Sequence, residues 1–172
     1  MPTKNLASSS SPSPCGLPHV WDFVIKRREI LVTKGLGHRG YIASRPVNGS
    51  RIPQHVQNLV IRDYAQRQGL RYLLSATELS PEGCFIVLQD VLSELDGIGG
   101  IILYSLFMLP ADKSERQTIY DTLLGNTKTL HAAVENLTLQ SEEDVVRFEE
   151  IFSVTENLEK CLQPQDLMPW TN

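Results

Sequence analysis

Short apolar runs alternate with amphipathic stretches from Gly37 to about residue 158, which is the pattern of repeated βα units built around a parallel sheet. Gly40-Tyr41-Ile42-Ala43-Ser44 predicts a first strand. Ile52 to Gln68 predicts a first helix, with Val56, Leu59, Val60 and Tyr64 at helical spacing and Gly69 as its C-terminal stop. Arg71 to Thr77 predicts a second strand. Ser80-Pro81-Glu82 then reads as the start of a second helix, a hydroxyl, a first-turn proline and an acid in that order, with Phe85, Leu88, Val91, Leu92 and Leu95 as its buried stripe. Ile101 to Leu106 is the most apolar segment and predicts a central strand covered on both faces. Lys113 to Leu124 predicts a third helix, with Ile119, Tyr120, Leu123 and Leu124 inward and Gly125-Asn126 closing it. Leu130 to Leu139 predicts a fourth strand. Ser141-Glu142-Glu143-Asp144 caps a last helix with Val145, Phe148, Ile151 and Phe152 inward. The expected fold is a single α/β domain, a doubly wound, mostly parallel four-stranded sheet flanked by helices.

A chain of 172 residues with 41% hydrophobic content buries one core and is too short for two ordinary domains. The domain is expected over residues 37–158. Before it lie a Ser- and Pro-rich tail over 1–18 and an arm over 19–36, which carries Lys26, Arg27 and Arg28 and would lie against the domain or against a second copy in a homo-oligomer. After it comes a tail over 159–172. The first fourteen residues lack the apolar core of a signal peptide, and the longest apolar run, Gly97 to Pro110, is too short to span a membrane. Cys15, Cys84 and Cys161 are odd in number and unpaired in spacing, so a reducing, cytoplasmic setting is expected. His19, His38, His55 and His131 are too scattered to announce a metal site. A net charge of −4 gives no general attraction to nucleic acid.

In an open parallel sheet, ligands bind beyond the carboxyl ends of the strands, where the strand order reverses. The loop after the first strand, Ser44-Arg45-Pro46-Val47-Asn48-Gly49-Ser50-Arg51, leads straight into a helix and suits a phosphate or carboxylate: two arginines, two hydroxyls, an amide and a flexible glycine. The competing reading is a polar turn in which Asn48-Gly49 makes the bend and Ser50 caps the helix. Around this loop, Thr77 and Glu78 follow the second strand, Tyr104 and Ser105 end the third, and His55 lies in the first helical turn. His55, Glu78 and Tyr104 are candidates for proton transfer, and Ser44 or Ser50 for a nucleophile, each needing a base supplied by the fold. No Gly-x-Gly-x-x-Gly, no P-loop and no Gly-x-Ser-x-Gly elbow is present, so no cofactor is expected.

Three segments, Arg39 to Leu59, Leu73-Leu74-Ser75-Ala76-Thr77-Glu78 and Ile101 to Pro110, resemble a family of bacterial proteins from sporadic carbohydrate-biosynthesis gene clusters. That resemblance implies a role in making a surface polysaccharide and assigns no reaction. A more distant resemblance is to the serine recombinase (resolvase) catalytic domain, echoed by Tyr41, Ser44 or Ser50, Arg45, Gln57, Leu59, Tyr64, Ala65 and Gly69. It implies a resolvase-like fold. The spacing from Tyr41 to Gln57 is longer than the recombinase pattern, and Phe107, Met108 and Leu109 stand where recombinases carry their Asp-Arg pair. The expected function is a carbohydrate-pathway enzyme or accessory protein that binds an anionic sugar phosphate or nucleotide sugar. In that role Arg45 and Arg51 hold the anion, and Asn48, Gly49, Gln57 and Ser105 complete the site. The alternatives are a non-catalytic adaptor for a pathway enzyme and a recombinase-like DNA-binding protein.

Overall fold

A computed structural model describes residues 36–81 and 83–159. The expected tail over 1–18, the arm over 19–36 apart from Leu36, and the tail over 159–172 apart from Glu159, which ends the last helix, lie outside the described residues. Along the chain run β1 (His38–Ala43), α1 (Gln54–Arg67), β2 (Tyr72–Glu78), α2 (Ile86–Ser93), β3 (Gly100–Leu103), α3 (Lys113–Gly125), β4 (Thr129–Ala132), β5 (Leu137–Leu139) and α4 (Glu142–Glu159). Single 3-10 turns at Leu95–Gly97 and Leu106–Met108 flank β3. The sheet order is β2-β1-β3-β4-β5, parallel except for the β4–β5 pair.

The sheet has five strands where four were expected. Leu130 to Leu139 is a hairpin, turning at 133–136 with Asn136 at φ +52°, and not one strand. The turn needs a left-handed residue, and asparagine supplies it without the glycine that would have announced it.

Alternation of side chains along the strands divides the core in two. Tyr41, Ala43, Ile101, Leu103, Leu130 and Leu139 face α2, α3 and α4, packing on Leu88, Val91, Ile119, Tyr120, Leu123, Val145 and Phe148. Ile42, Ile102 and Ala133 face α1 alone, against Ile61, Tyr64 and Ala65. β3 is buried along its whole length, as its unbroken apolar run requires.

The helix starts are set in different ways. Asp112 accepts from the amides of Ser114 (2.8 Å) and Glu115 (3.0 Å) to open α3. At α4 the Asp144 carboxylate accepts from the Ser141 amide at 3.0 Å. Ser80-Pro81 does not open α2, which begins at Ile86 after a turn in which the Cys84 amide donates to the Pro81 carbonyl (3.2 Å) and Gly83 takes φ +81°.

Candidate functional site

The strand order reverses between β1 and β3, so the crevice of an open α/β sheet lies beyond their carboxyl ends. Its floor is filled by Gln57. β1 pairs with β3 only as far as Tyr41 and Leu103, which leaves the Ala43 N–H and C=O on that side without a strand partner. The fully buried Gln57 amide supplies both bonds, accepting from the Ala43 N–H at 3.1 Å and donating to the Ala43 carbonyl at 2.7 Å, and it donates to the Ile52 carbonyl at 2.8 Å. A Gln57→Ala variant leaves buried backbone groups without partners, and urea denaturation is expected to show a loss of about 2 kcal/mol. An unchanged midpoint would refute this role for the amide.

From that floor rises the loop of residues 44–53. The Val47 and Ser50 amides each donate to the other residue's carbonyl at 2.8 and 3.0 Å, closing a two-residue turn with Asn48 at φ +48° and Gly49 at φ +75°. Both positive φ values are what an Asn-Gly hairpin turn demands. Asn48, Gly49, Ser50 and Arg51 are exposed on it. Ser50 does not cap α1, whose N-cap is Pro53 with no side-chain hydrogen bond.

Arg45 occupies the junction of three loops. It donates to the Cys84 carbonyl after β2 (3.2 Å), to the Met108 carbonyl after β3 (2.9 Å) and to the Tyr41 hydroxyl on β1 (3.3 Å), and its guanidinium lies 4.3 Å from the Phe85 ring centre. All three acceptors are neutral. The Tyr41 hydroxyl in turn donates to Glu78 at 3.5 Å. Burial pushes the Tyr41 phenol up to about 12, Glu78 adding to the shift and Arg45 opposing it.

Glu78, fully buried at the end of β2, accepts from the Val87 amide at 2.9 Å and the Ser80 amide at 3.4 Å. Burial raises its pKa, but hydrogen bonds from Ser80, Val87 and Leu88 outweigh burial and hold it below the usual carboxylate range. Its charge is therefore applied to the N-terminal amides of α2, which explains why the helix begins without a local cap. Ser44 is bonded to the Glu78 carbonyl through both its amide (3.0 Å) and its hydroxyl (3.3 Å).

The rim after β3 is fixed at further points. Glu135, from the β4–β5 turn, accepts from the Ser105 hydroxyl at 2.6 Å and the Leu106 amide at 3.0 Å. Arg116 of α3 donates to the Pro110 (3.0 Å) and Ala111 (2.7 Å) carbonyls. The Tyr104 ring is half-buried against both core clusters.

The candidate residues thus fall into separate places. Arg45, Ser44 and Glu78 share one hydrogen-bonded junction, Gln57 and Ser105 lock the crevice, and Asn48 to Arg51 form an exposed tip. His55 lies elsewhere, lining an open groove of about 780 Å3 between α1 and β2. The sequence pointed to Phe85 only as part of a helix stripe and did not mark Glu135. Their roles arise from contacts between segments 40 and 30 residues apart, and no local pattern marks them. Among the described residues no group of three or more His, Cys, Asp or Glu side chains is placed to hold a metal, and no helix is long and apolar enough to cross a membrane.

Fold and site define an α/β protein with a mostly parallel five-stranded sheet and a cation fixed at its carboxyl edge. Among solved structures it is similar to the N-terminal catalytic domain of TP901-1 integrase, 18% identical with a TM-score of 0.49, over 71% of this chain and 96% of that domain. No family model matches the chain, and no curated protein matches it.

Proposed function

We propose that this protein binds a small anionic molecule, a sugar phosphate or nucleotide sugar, at the rim formed by the loops after β1, β2 and β3. The observation that carries this reading is the state of Arg45. It is held rigidly by neutral oxygens and a ring face, with no carboxylate in ion-pair contact among the described residues, while Glu78 nearby is committed to the amides of α2. A preorganised guanidinium without a counter-charge is a binding group for phosphate: its positive charge attracts the anion, the Nε–H and one Nη1–H remain to donate, and little side-chain freedom is left to be lost. Arg51 and Ser50 on the exposed hairpin are the groups that would close on the ligand. The sugar portion rests on the resemblance of Arg39–Leu59 and its companion segments to the polysaccharide-cluster family. The Ser44 hydroxyl donates to a backbone carbonyl and, among the described residues, to no base, which supports binding over nucleophilic chemistry.

Thermal-shift titration with glucose 1-phosphate and UDP-glucose tests the reading, with glucose as the neutral control. A ligand at about a hundred times its Kd adds about 2.7 kcal/mol to the folded state, a readily measured rise in Tm. The phosphate-bearing ligands are expected to raise Tm and glucose is not. An Arg45→Gln variant, its fold checked by circular dichroism, should lose the response, and Arg51→Ala should weaken it. No response from either phosphate ligand, or an undiminished one in Arg45→Gln, would overturn the proposal in favour of the adaptor reading.

A further inference from the structure

β2 is an edge strand, and its outer flank is unusually apolar. Leu74 is 78% exposed and Leu59, on the facing side of α1, is 68% exposed. Both line the groove that also contains His55, Asn58, Arg62 and Tyr72. Leu74 protrudes because β2 is bulged. Tyr72 pairs with His38 and Ser75 with Gly40, so three steps along β2 match two along β1. A bulge discourages regular strand pairing from outside, yet it leaves the leucine unpacked at an edge that proteins normally cover or charge.

The chain's own N-terminal segment is attached beside this groove. His38 is the β1 partner of Tyr72, a groove-lining residue, so the chain enters β1 next to the start of the groove. The residues just before it, Glu29-Ile30-Leu31-Val32-Thr33, are apolar at three successive positions. From Gly37 back to Val32 is five residues, which span up to about 17 Å when extended, whereas the four groove residues of β2 run about 13 Å. The segment therefore reaches the whole groove. Its tether gives an effective concentration of about millimolar, so even a modest apolar contact is populated within one molecule.

We propose that residues 29–33 pack into the groove between α1 and β2 in the same chain, with Ile30, Leu31 and Val32 covering Leu59 and Leu74. The contact is made by side chains and not as a sixth strand, because the bulge interrupts the ladder.

Hydrogen exchange read by mass spectrometry on the full chain tests it. Amides of residues 29–33 are expected to exchange at least tenfold more slowly than an unstructured peptide of that sequence. In a Leu59→Lys, Leu74→Lys double variant the protection is expected to vanish, while the amides of β3 and α3 stay protected and show that the fold is intact. Both leucines are surface residues, so the variant leaves the core untouched. Free exchange at 29–33 in the wild-type chain would overturn the proposal, as would protection that survives the double substitution. Protection that rises with protein concentration alongside a dimer in light scattering would also overturn it, by assigning the groove to a second copy.

Discussion

A Glu149→Ala variant unfolds at a much lower urea concentration than the wild-type chain, with about 3–5 kcal/mol of stability lost. Glu149 of α4 receives the Arg116 guanidinium through two bonds of 2.8 Å and the Tyr120 hydroxyl at 3.1 Å. Arg116 is 5% exposed and stacked 4.0 Å from the Phe152 ring centre, so removal of the carboxylate strands a buried cation. Those hydrogen bonds, from Arg116 above all, hold the Glu149 carboxyl below its ordinary range. The loss comes from the unpaired charge more than from the missing attraction. A Glu149→Leu, Arg116→Met double variant should accordingly recover most of it, and a double variant as unstable as the single one would refute that partition. Arg116 also holds the Pro110 and Ala111 carbonyls, so the single variant should loosen the rim after β3 and weaken any ligand response there.

The second large effect follows from pH. Stability should fall by about 2 kcal/mol between pH 7 and pH 5, and by about 5 kcal/mol as pH approaches 3. Burial, with the neighbouring His38 adding, holds His131 neutral down to about 3, against an ordinary value of 6.5. Burial lowers His38 in the same direction. The two rings lie 5.3 Å apart. The Thr129 hydroxyl bridges them, while Tyr64 and Thr138 occupy the other His131 nitrogen at 3.1 Å. Nothing in this network carries negative charge to accept a second proton's worth of cation. Below 6.5 the unfolded chain binds a proton that the folded chain refuses, so stability is full above that pH and drains away as pH falls. The lowered carboxylates Glu78, Glu149 and Asp112 also cost stability in acid, but only below their unfolded values, 4.5 for the glutamates and 3.8 for Asp112. The range from pH 7 to 5 therefore isolates the histidines. Urea midpoints across that range check it. A flat profile in the wild-type chain, or one unaltered in His131→Gln, would sink the assignment.

The parts of the fold that were legible are those whose cause is local. The inward set Ile119, Tyr120 and Leu123 and the unbroken run of β3 each report which face is buried. On α1 only Tyr64 of the expected set Val56, Leu59, Val60 and Tyr64 is buried: Ile61 and Ala65 complete the inner face, and Leu59 is exposed, because the buried Gln57 turns the helix by its bonds to Ala43. The hairpin at 133–136 was not legible, since Val134 and the short polar turn sit inside an apolar stretch without glycine or proline. Within the site, the Asn48-Gly49 bend was readable because its chemistry is confined to two residues. Gln57 and Glu78 were readable only as polar side chains near the right loops. What they do depends on backbone groups 14 and 9 residues away, which a strand register and a helix start bring within reach. Arg45 was readable as a cation, and its neutral surroundings were not, because they come from three different loops.

The central place of β1 has a kinetic consequence. β1 leaves the ribosome before every other described strand, yet both its neighbours come later: His38 pairs with Tyr72 on one side and with Gly100 on the other. At about 5–20 residues per second, roughly 3 to 12 s of synthesis separates His38 from Gly100. Through that interval only β1, α1, β2 and, near its end, α2 can assemble, with α1 covering one face while Tyr41 and Ala43 on the other still await α3 and α4. The nascent chain therefore carries its stickiest surface at the strand that will become its centre, and this stage of synthesis is where a chaperone would be needed.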